Sequence, residues 1–388
     1  MSTYIHQPQS NSRDLKFVFE ILRSNDELLK RRIEELIVTD DLALIYREII
    51  NSYFKELTLC DENTSAKKRS QIITKYLKNI WQKHGKGETY KLFENFNMFE
   101  TFLFELPNYR GHYIHQFNVF LLGYYLLNKL LENNQIKNVF HNISDEPYFT
   151  WMISSTFHDM GYTIQEIENW FSNFLEMFLK VNMKYSINID DILTRNFYDY
   201  VAYISEYHLA LLQRSGLIQW HFEQMNRKDM KIYDLLLTRL KMKEHGIIGA
   251  LLFIHSILVR EKFLDNQSLI YRDFPIYIMP ACHAISAHHF NIENLTIEFE
   301  RFPFLFMLIL CDELQDWGRS KDKQDQSKMI EVDVIEGNHP KIIIKLKVFE
   351  EYKLKSLSEI EKKLKCSLFD VQIEAEYKEI KNQFNIKN

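Results

Sequence analysis

Glycine and proline, the residues that most often interrupt helices, are scarce in this chain. Its 388 residues include only 10 Gly and 7 Pro, well below the usual frequencies of about 7% and 5%. The segment LKFVFEILRSNDELLKRRIEELI (15–37) repeats apolar residues at spacings of three and four, which is typical of amphipathic helices. Few chain breakers over this length favour long helices over many short strands joined by tight turns. The sequence therefore predicts a mainly α protein.

The apolar pattern divides the helical part of the chain into two predicted regions. Residues 1–100 form an N-terminal helical region, in which the polar stretch CDENTSAKKRS (60–70) is a predicted loop. Residues 101–325 form a denser helical core, with an amphipathic helical insertion at about 163–240. The helices predicted for this core cover about 109–132, 147–160, 244–263, 275–289 and 303–319.

The pattern changes after a charged linker, SKDKQDQSK (320–328). The segment EVDVIEGNHPKIIIKLKVF (331–349) alternates like two strands joined by a turn at GNHP. LSEIEKKLKC (357–366) has the periodicity of an amphipathic helix, and SLFDVQIEAEY (367–377) alternates like a further strand. Residues 329–388 are therefore predicted to form a small C-terminal α+β appendage.

Charge and composition exclude several classes of partner. The net charge of −5 gives no broad basic field, so duplex nucleic acid is not an expected partner, although a local cationic pocket for one small phosphorylated ligand remains open. The four cysteines lack CxxC spacing and are expected to be reduced. The N-terminal residues contain no apolar signal segment, and the longest apolar runs (117–127 and 302–311) are shorter than a membrane span. A cytoplasmic location without membrane association is expected.

Three segments place polar ligand types at the ends of apolar helices. His115 lies in RGHYIHQFNVFLLGYYLL (110–127), His158-Asp159 in WMISSTFHDMGY (151–162), and Asp312 in FPFLFMLILCDELQDWGR (302–319). Burying such groups costs free energy unless each has a partner. For His115 a hydrogen-bonded core histidine is the alternative, and for Asp312 a helix cap or salt bridge is. A divalent cation would offset the cost for all of them, because imidazole and carboxylate are good ligands.

Further histidines follow in two segments. His245 precedes a helix that starts with small residues in KEHGIIGALLF (243–253), where Gly246 and Gly249 permit close backbone approach. The segment MPACHAISAHHFNIEN (279–294) holds three histidines, His283, His288 and His289. Core packing does not require three histidines in seven residues, and at most two of them are expected to face one metal ion.

The order H…HD…H…H…D, formed by His115, His158-Asp159, His245, His288 and Asp312, resembles the HD superfamily of metal-dependent phosphohydrolases over residues 105–320. The resemblance implies an HD-domain helical bundle that holds one or two divalent ions (Mn, Fe, Zn, Co, Ni or Mg). Two histidines between the HD pair and the last Asp are similar to the two-metal members, which include cyclic-nucleotide phosphodiesterases. Tyr162 or Thr163 stands where many of those members carry Lys, and the GYP signature of the cyclic-dinucleotide enzymes is missing.

The resemblance implies hydrolysis of a phosphoester in a nucleotide or cyclic nucleotide by a metal-activated water. The implied metal ligands are His115, His158, Asp159, His245, His288 and Asp312, and Asp159 is also the implied catalytic residue. Residues expected to contact the substrate or support the ligands are Arg110, His112, His283, His289, Asp316 and Arg319. Two alternatives remain open: an HD-fold di-iron oxygenase with the same ligands, and a non-catalytic ligand sensor or scaffold. The edges of a small C-terminal sheet also make a homo-oligomer possible.

Overall fold

Helices form most of the described structure, so the mainly α prediction is confirmed. The computed structural model describes residues 12–38, 41–60, 66–84, 94, 112–162, 168, 171–172, 175–176, 200–202, 204–205, 207, 234–260, 278–289, 296–315, 327–349, 351–377 and 380–386. The helices of the larger part are α1 (Ser12–Glu34), α2 (Asp41–Thr58), α3 (Ala66–Lys83), α4 (His112–Leu130), α5 (Asn134–Ile143), α6 (Pro147–Phe157), α7 (His245–Arg260), α8 (Ile278–Ala287) and α9 (Pro303–Leu314).

Helices α4, α6 and α9 are central because they are apolar on nearly every side. All residues of α4 except the half-buried Lys129 are buried, as are all residues of α6. Pro147 and Pro303 occupy the first turns of α6 and α9, where a missing amide hydrogen costs no helical hydrogen bond. Helices α4 and α6 pack closely, and the Trp151 indole donates to the Phe120 carbonyl oxygen at 3.1 Å.

The N-terminal helices pack on α4 through a buried ion pair and aromatic contacts. The Arg69 guanidinium on α3 donates to both carboxylate oxygens of Asp26 on α1, each at 2.9 Å. The same guanidinium donates to Asn118 Oδ1 on α4 at 3.4 Å. The rings of Tyr53 and Phe117 meet edge to face at 4.8 Å between centroids. These contacts join α1, α2 and α3 to the helix that carries His115.

The C-terminal part is a four-stranded sheet with one helix. Strands β2 (Ser327–Ile335), β3 (Lys341–Val348), β5 (Asp370–Tyr377) and β6 (Ile380–Ile386) lie in the order β2-β3-β5-β6. The outer pairs are antiparallel and β3-β5 is parallel, with α10 (Glu351–Lys363) in the connection between them. A second, two-stranded parallel sheet pairs β1 (Ile297–Glu298) with β4 (Leu364–Lys365). The predicted strands, turn and helix of this part are confirmed.

Hydrogen bonds and ion pairs tie the C-terminal part to the helical part. Asn25 Oδ1 on α1 accepts from the Met329 amide on β2 at 2.6 Å. Glu313 on α9 accepts from the Ser356 hydroxyl of α10 and lies 3.7 Å from Lys353 Nζ. Apolar residues from both parts belong to one continuous core.

Several predicted boundaries differ from the structure. Helix α3 begins at Ala66, inside the predicted loop, and α9 ends at Leu314 because Gln315 adopts an extended backbone (φ −101°, ψ 97°). Neither β6 nor α5 was predicted from the sequence; α5 is a short amphipathic helix whose start is fixed by the Asn133 side chain, which accepts from two following amides. Most of the predicted insertion (163–240) and linker (320–328) lies outside the described residues. Within the described segments, no helix is both long enough and apolar enough to cross a bilayer.

Candidate metal centre

His115, His158 and Asp312 meet although α4, α6 and α9 are far apart in the chain. His115 Nε2 lies 2.7 Å from Asp312 Oδ1, and His158 Nε2 lies 3.5 Å from the same oxygen. Both imidazoles are fully buried. One ligand atom from each of the three residues lies within 4.8 Å of the others, which is a spacing that can surround one metal ion. Within the described part of the chain, these three residues form the first of two groups.

The second group lies where α6 and α8 end and where α7 begins. It contains Asp159, His245, His288 and His289, again with one ligand atom each within 4.8 Å of the others. His245 Nε2 lies 3.3 Å from His288 Nε2. His289 is exposed, whereas the other three are buried. The structure therefore brings all six predicted ligands together and adds His289 to them.

Asp159 lies between the two groups because its two carboxylate oxygens face different imidazoles. Oδ2 lies 3.1 Å from His112 Nδ1 and 3.7 Å from His115 Nε2. Oδ1 lies 3.5 Å from His158 Nε2 and 3.6 Å from His245 Nε2. A carboxylate placed in this way can contribute one oxygen to each of two ions.

The turn that carries His158 and Asp159 is held by a glutamine on α4. With its amide oriented to satisfy both ends, Gln116 donates to the Thr156 carbonyl oxygen at 2.9 Å and accepts from the amides of Asp159 and Met160 at 3.3 and 3.1 Å. Gln116, which directly follows His115, thus bonds to backbone groups on both sides of the point where α6 ends at Phe157. Gln116 therefore couples the position of the HD turn to the position of α4.

Close backbone approach at two glycines brings α7 against both the HD turn and α8. A Cβ atom on Gly161 would lie 2.0 Å from the His245 carbonyl oxygen, and one on Gly246 would lie 2.6 Å from the Ile285 carbonyl oxygen. Any larger residue would hold these segments apart. The prediction of close approach at Gly246 is confirmed, whereas the role of Gly161 had no signal in the sequence.

The outer nitrogens of three imidazoles are held by carbonyl oxygens. His158 Nδ1 lies 2.7 Å from the Ser155 carbonyl oxygen, and His288 Nδ1 lies 2.6 Å from that of Ile285. His115 Nδ1 lies in hydrogen-bonding contact with Gln315 Oε1. Because such oxygens only accept, each Nδ1 must carry the hydrogen and donate it. A neutral ring then presents an unprotonated Nε2 to the cluster, as metal-ligating histidines do.

Charges within the cluster shift its pKa values in both directions. Burial alone would raise the pKa of Asp159, but the neighbouring imidazoles, His158 above all, lower it well below the usual range. Burial likewise opposes ionisation of Asp312, and the imidazoles of His115 and His158 beside its carboxylate lower its pKa well below the usual range. Both carboxylates are therefore ionised at neutral pH.

The histidines differ in whether nearby charge or burial decides the pKa of the ring. Burial opposes the charged form of His158, but Asp159 and Asp312 raise the pKa of its ring. Burial, followed by the charge of His289, lowers the pKa values of His245 and His288 well below the usual range. These two rings are neutral at pH 7, which is the state that binds a metal.

Two buried polar atoms in the cluster lack a hydrogen-bond partner among the described residues: His158 Nε2 and Asp159 Oδ1. Leaving such atoms unsatisfied costs free energy. In addition, Oδ1 of the ionised Asp312 lies 2.7 Å from His115 Nε2, a contact that requires a cation or a proton between the two atoms. The buried His and Asp groups therefore fit a metal ion, although its identity and number are not determined by this geometry.

The supporting residues predicted from the sequence lie in different environments. His112 contacts Asp159, as above, and its ring stacks on Tyr162 with centroids 4.5 Å apart. His283 is buried against the rings of Phe302 and Tyr207 and belongs to neither group of described ligand atoms. Of the remaining four predicted residues, His289 belongs to the second group, and Arg110, Asp316 and Arg319 lie outside the described residues.

Sequence reasoning missed Gln116, Gln315 and the ring of Tyr162. The only available signal for Gln116 was a polar residue within an otherwise apolar helix, directly after His115. Gln315 contacts a residue 200 positions away, which no local pattern records.

Comparisons with known proteins gave no match: no family model, no curated protein and no solved structure is detectably similar to this chain. The resemblance to the HD superfamily therefore rests on the motif residues and remains a hypothesis about family.

Proposed function

We propose that this protein is a metal-dependent hydrolase of the HD type that cleaves a phosphoester bond in a nucleotide or cyclic nucleotide. The observation that carries the proposal is the position of Asp159, whose carboxylate lies within 3.7 Å of His115 and His158 of the first group and within 3.6 Å of His245 of the second. This arrangement is suited to two neighbouring divalent ions, and paired ions of this kind are typical of phosphoester hydrolysis.

The residues would divide the task of holding the ions. His115, His158 and Asp312 would hold one ion, His245 and His288 the other, and Asp159 would contact both. Divalent ions in such a site lower the pKa of a coordinated water and neutralise charge on the phosphoryl oxygens. Asp159 would take part in holding both ions, which agrees with the catalytic role expected for it from the sequence.

The hydrogen bonds around the ligands would keep the site ready for the ions. Carbonyl oxygens fix the Nδ1 hydrogens of His158 and His288, so their Nε2 atoms stay directed at the cluster. His112 Nδ1 lies 3.1 Å from Asp159 Oδ2 and, as its donor, orients the carboxylate. His289 is exposed, so a substrate would reach the cluster on this side. A small phosphorylated molecule is the expected substrate.

The test combines metal content with turnover. Purified protein is expected to retain about two divalent ions per chain, and to hydrolyse at least one member of a panel of nucleotides and cyclic nucleotides when Mn²⁺ or Co²⁺ is supplied. Asp159→Asn removes a carboxylate charge shared by both groups, so metal content and turnover should both fall by at least about 100-fold.

The control is His84→Gln. His84 is a largely buried histidine with a tyrosine partner, like several residues of the cluster, but it lies outside both groups. The control should lose stability and keep its metal. Turnover that survives Asp159→Asn would refute the proposed site. Iron content together with oxygen consumption would instead favour the oxygenase alternative, and ligand binding without turnover would favour a sensor or scaffold.

A further inference from the structure

The ring of His245 is held differently from the rings of the other predicted histidine ligands. His115, His158 and His288 each have Nδ1 within hydrogen-bonding distance of a carbonyl oxygen. The corresponding atom of His245 lies 3.6 Å from a carboxylate oxygen of Glu244, beyond ordinary hydrogen-bonding distance. The Glu244 carboxylate instead accepts from the amides of Gly246 and Ile247 at the start of α7.

What fixes the plane of the His245 ring is an aromatic stack. Tyr162 and His245 have centroids 3.8 Å apart and planes inclined by only 17°. His288 and His289 contact the same imidazole edge to face, at 5.2 and 4.4 Å. A ring packed in this way can translate little, and rotation about its own Cβ bond is blocked by the tyrosine.

Tyr162 itself is anchored to the HD turn. Its amide donates to the Asp159 carbonyl oxygen at 3.0 Å, and its ring also stacks on His112, which contacts Asp159 Oδ2. The side chain is only half buried, so filling a void in the core does not explain its position. One tyrosine therefore relates the position of His245 to the position of the bridging carboxylate.

We propose that Tyr162 is the positioning residue of the second cation site, the one formed by Asp159, His245 and His288. It acts by holding the His245 ring in the plane from which Nε2 faces Asp159. The inference rests on the proposed function in one respect, since it requires that this site binds a divalent ion. The two sites should therefore differ in rigidity, because hydrogen bonds hold the ligand rings of the first site whereas stacking partly holds those of the second.

Co²⁺ is a suitable probe, because its visible absorption reports coordination by imidazole and carboxylate, and calorimetry gives the affinities. Metal-free wild-type protein should bind two Co²⁺ ions with separable affinities. Tyr162→Phe retains the ring and should keep both affinities within about twofold. Tyr162→Leu retains apolar volume without a ring, so it should weaken the second site about 3- to 10-fold, the range that stacking energies imply, and leave the first site unchanged.

A double-mutant cycle separates positioning from general destabilisation. If Tyr162 acts through His245, Tyr162→Leu should have no further effect on Co²⁺ binding in a His245→Asn background. Thermal unfolding of each variant without metal checks that it is folded, and Tyr162→Met, a second variant that lacks the ring, takes the place of the leucine variant if that one does not fold.

Three outcomes would overturn the inference. Wild-type affinity for both ions in the leucine variant, or equal weakening of both sites, would show that the tyrosine does not position His245. Binding of a single Co²⁺ by the wild type would remove the second site while leaving a one-metal hydrolase intact. Wild-type protein that binds no Co²⁺ at all would refute the proposed function as well.

Discussion

Replacing Gly161 with alanine is expected to push His245 away from Asp159. The added Cβ would lie 2.0, 2.6 and 2.7 Å from the carbonyl oxygen, Cα and carbonyl carbon of His245, whereas ordinary contacts begin near 3.4 Å. Because these are backbone atoms, no side-chain rotation relieves the overlap. The HD turn and the start of α7 must separate by about 1.4 Å at the closest contact.

The expected loss of stability follows from this overlap. Overpacking costs about 1–3 kcal/mol, and the upper end applies here because backbone must move. For 388 residues the entropy of unfolding is about 0.8 kcal/mol/K, so the variant should melt about 4 °C below the wild type.

The effect on metal binding should be larger than the effect on stability. His245 Nε2 now lies 3.6 Å from Asp159 Oδ1, and metal sites tolerate ligand displacements of only about 0.2 Å. A displacement near 1 Å should therefore weaken the second Co²⁺ site at least about tenfold, with little change at the first.

Gly123→Ala is the matched control, because its Cβ would overlap the Trp151 ring at 1.9 Å, on the contact between α4 and α6. This variant should also melt at a lower temperature but should bind both ions like the wild type. Differential scanning fluorimetry and Co²⁺ titration measure the two effects. A Gly161→Ala protein that melts within 1 °C of the wild type and binds both ions normally would refute the reasoning.

Two further predictions concern the glutamine behind the HD turn and the response to pH. Gln116→Met keeps the side-chain volume but removes the contacts of Gln116 with the Thr156 carbonyl and the Asp159 amide, whereas the Met160 amide still donates to the Phe157 carbonyl oxygen. Urea unfolding should therefore show a loss of about 2 kcal/mol, and a loss under about 0.5 kcal/mol would contradict the assigned amide contacts. Burial lowers the pKa values of His245 and His288 in the folded protein. Below about pH 6.5 these two imidazoles are therefore protonated in the unfolded chain but not in the folded protein, and the free energy of unfolding decreases as the pH is lowered. In metal-free protein, urea unfolding at pH 6.5 and 5.5 should differ by up to about 1.4 kcal/mol for each ring, and His288→Asn should remove about half of the difference. An unchanged pH dependence in that variant would show that His288 is not the group responsible.

Much of the helical and strand content could be predicted from the sequence because it depends on short-range periodicity. Apolar spacing located α4, α6 and α9 to within a few residues, and alternation located β3 and β5. The boundaries were less predictable, since α9 ends where Gln315 turns toward His115, and that contact joins residues 200 positions apart.

The ligand types were also readable in the sequence, because ionisable residues at the ends of apolar runs need a partner. Their convergence was not, since it depends on how helices cross. The same reasoning pointed to His283, which instead packs against Phe302 and belongs to neither ligand group among the described residues. Choosing between neighbouring histidines requires the helix orientation.

The sequence by itself therefore determined a set of helices and a set of imidazoles and carboxylates that could not be buried without a partner. Only the tertiary structure decided that the Asp159 carboxylate lies against both groups, that Gln116 holds the HD turn, and that Tyr162 stacks on His245. The physical reason is range: backbone sterics and periodicity act over a few residues, whereas these contacts join helices that are distant in the chain and have no local signature.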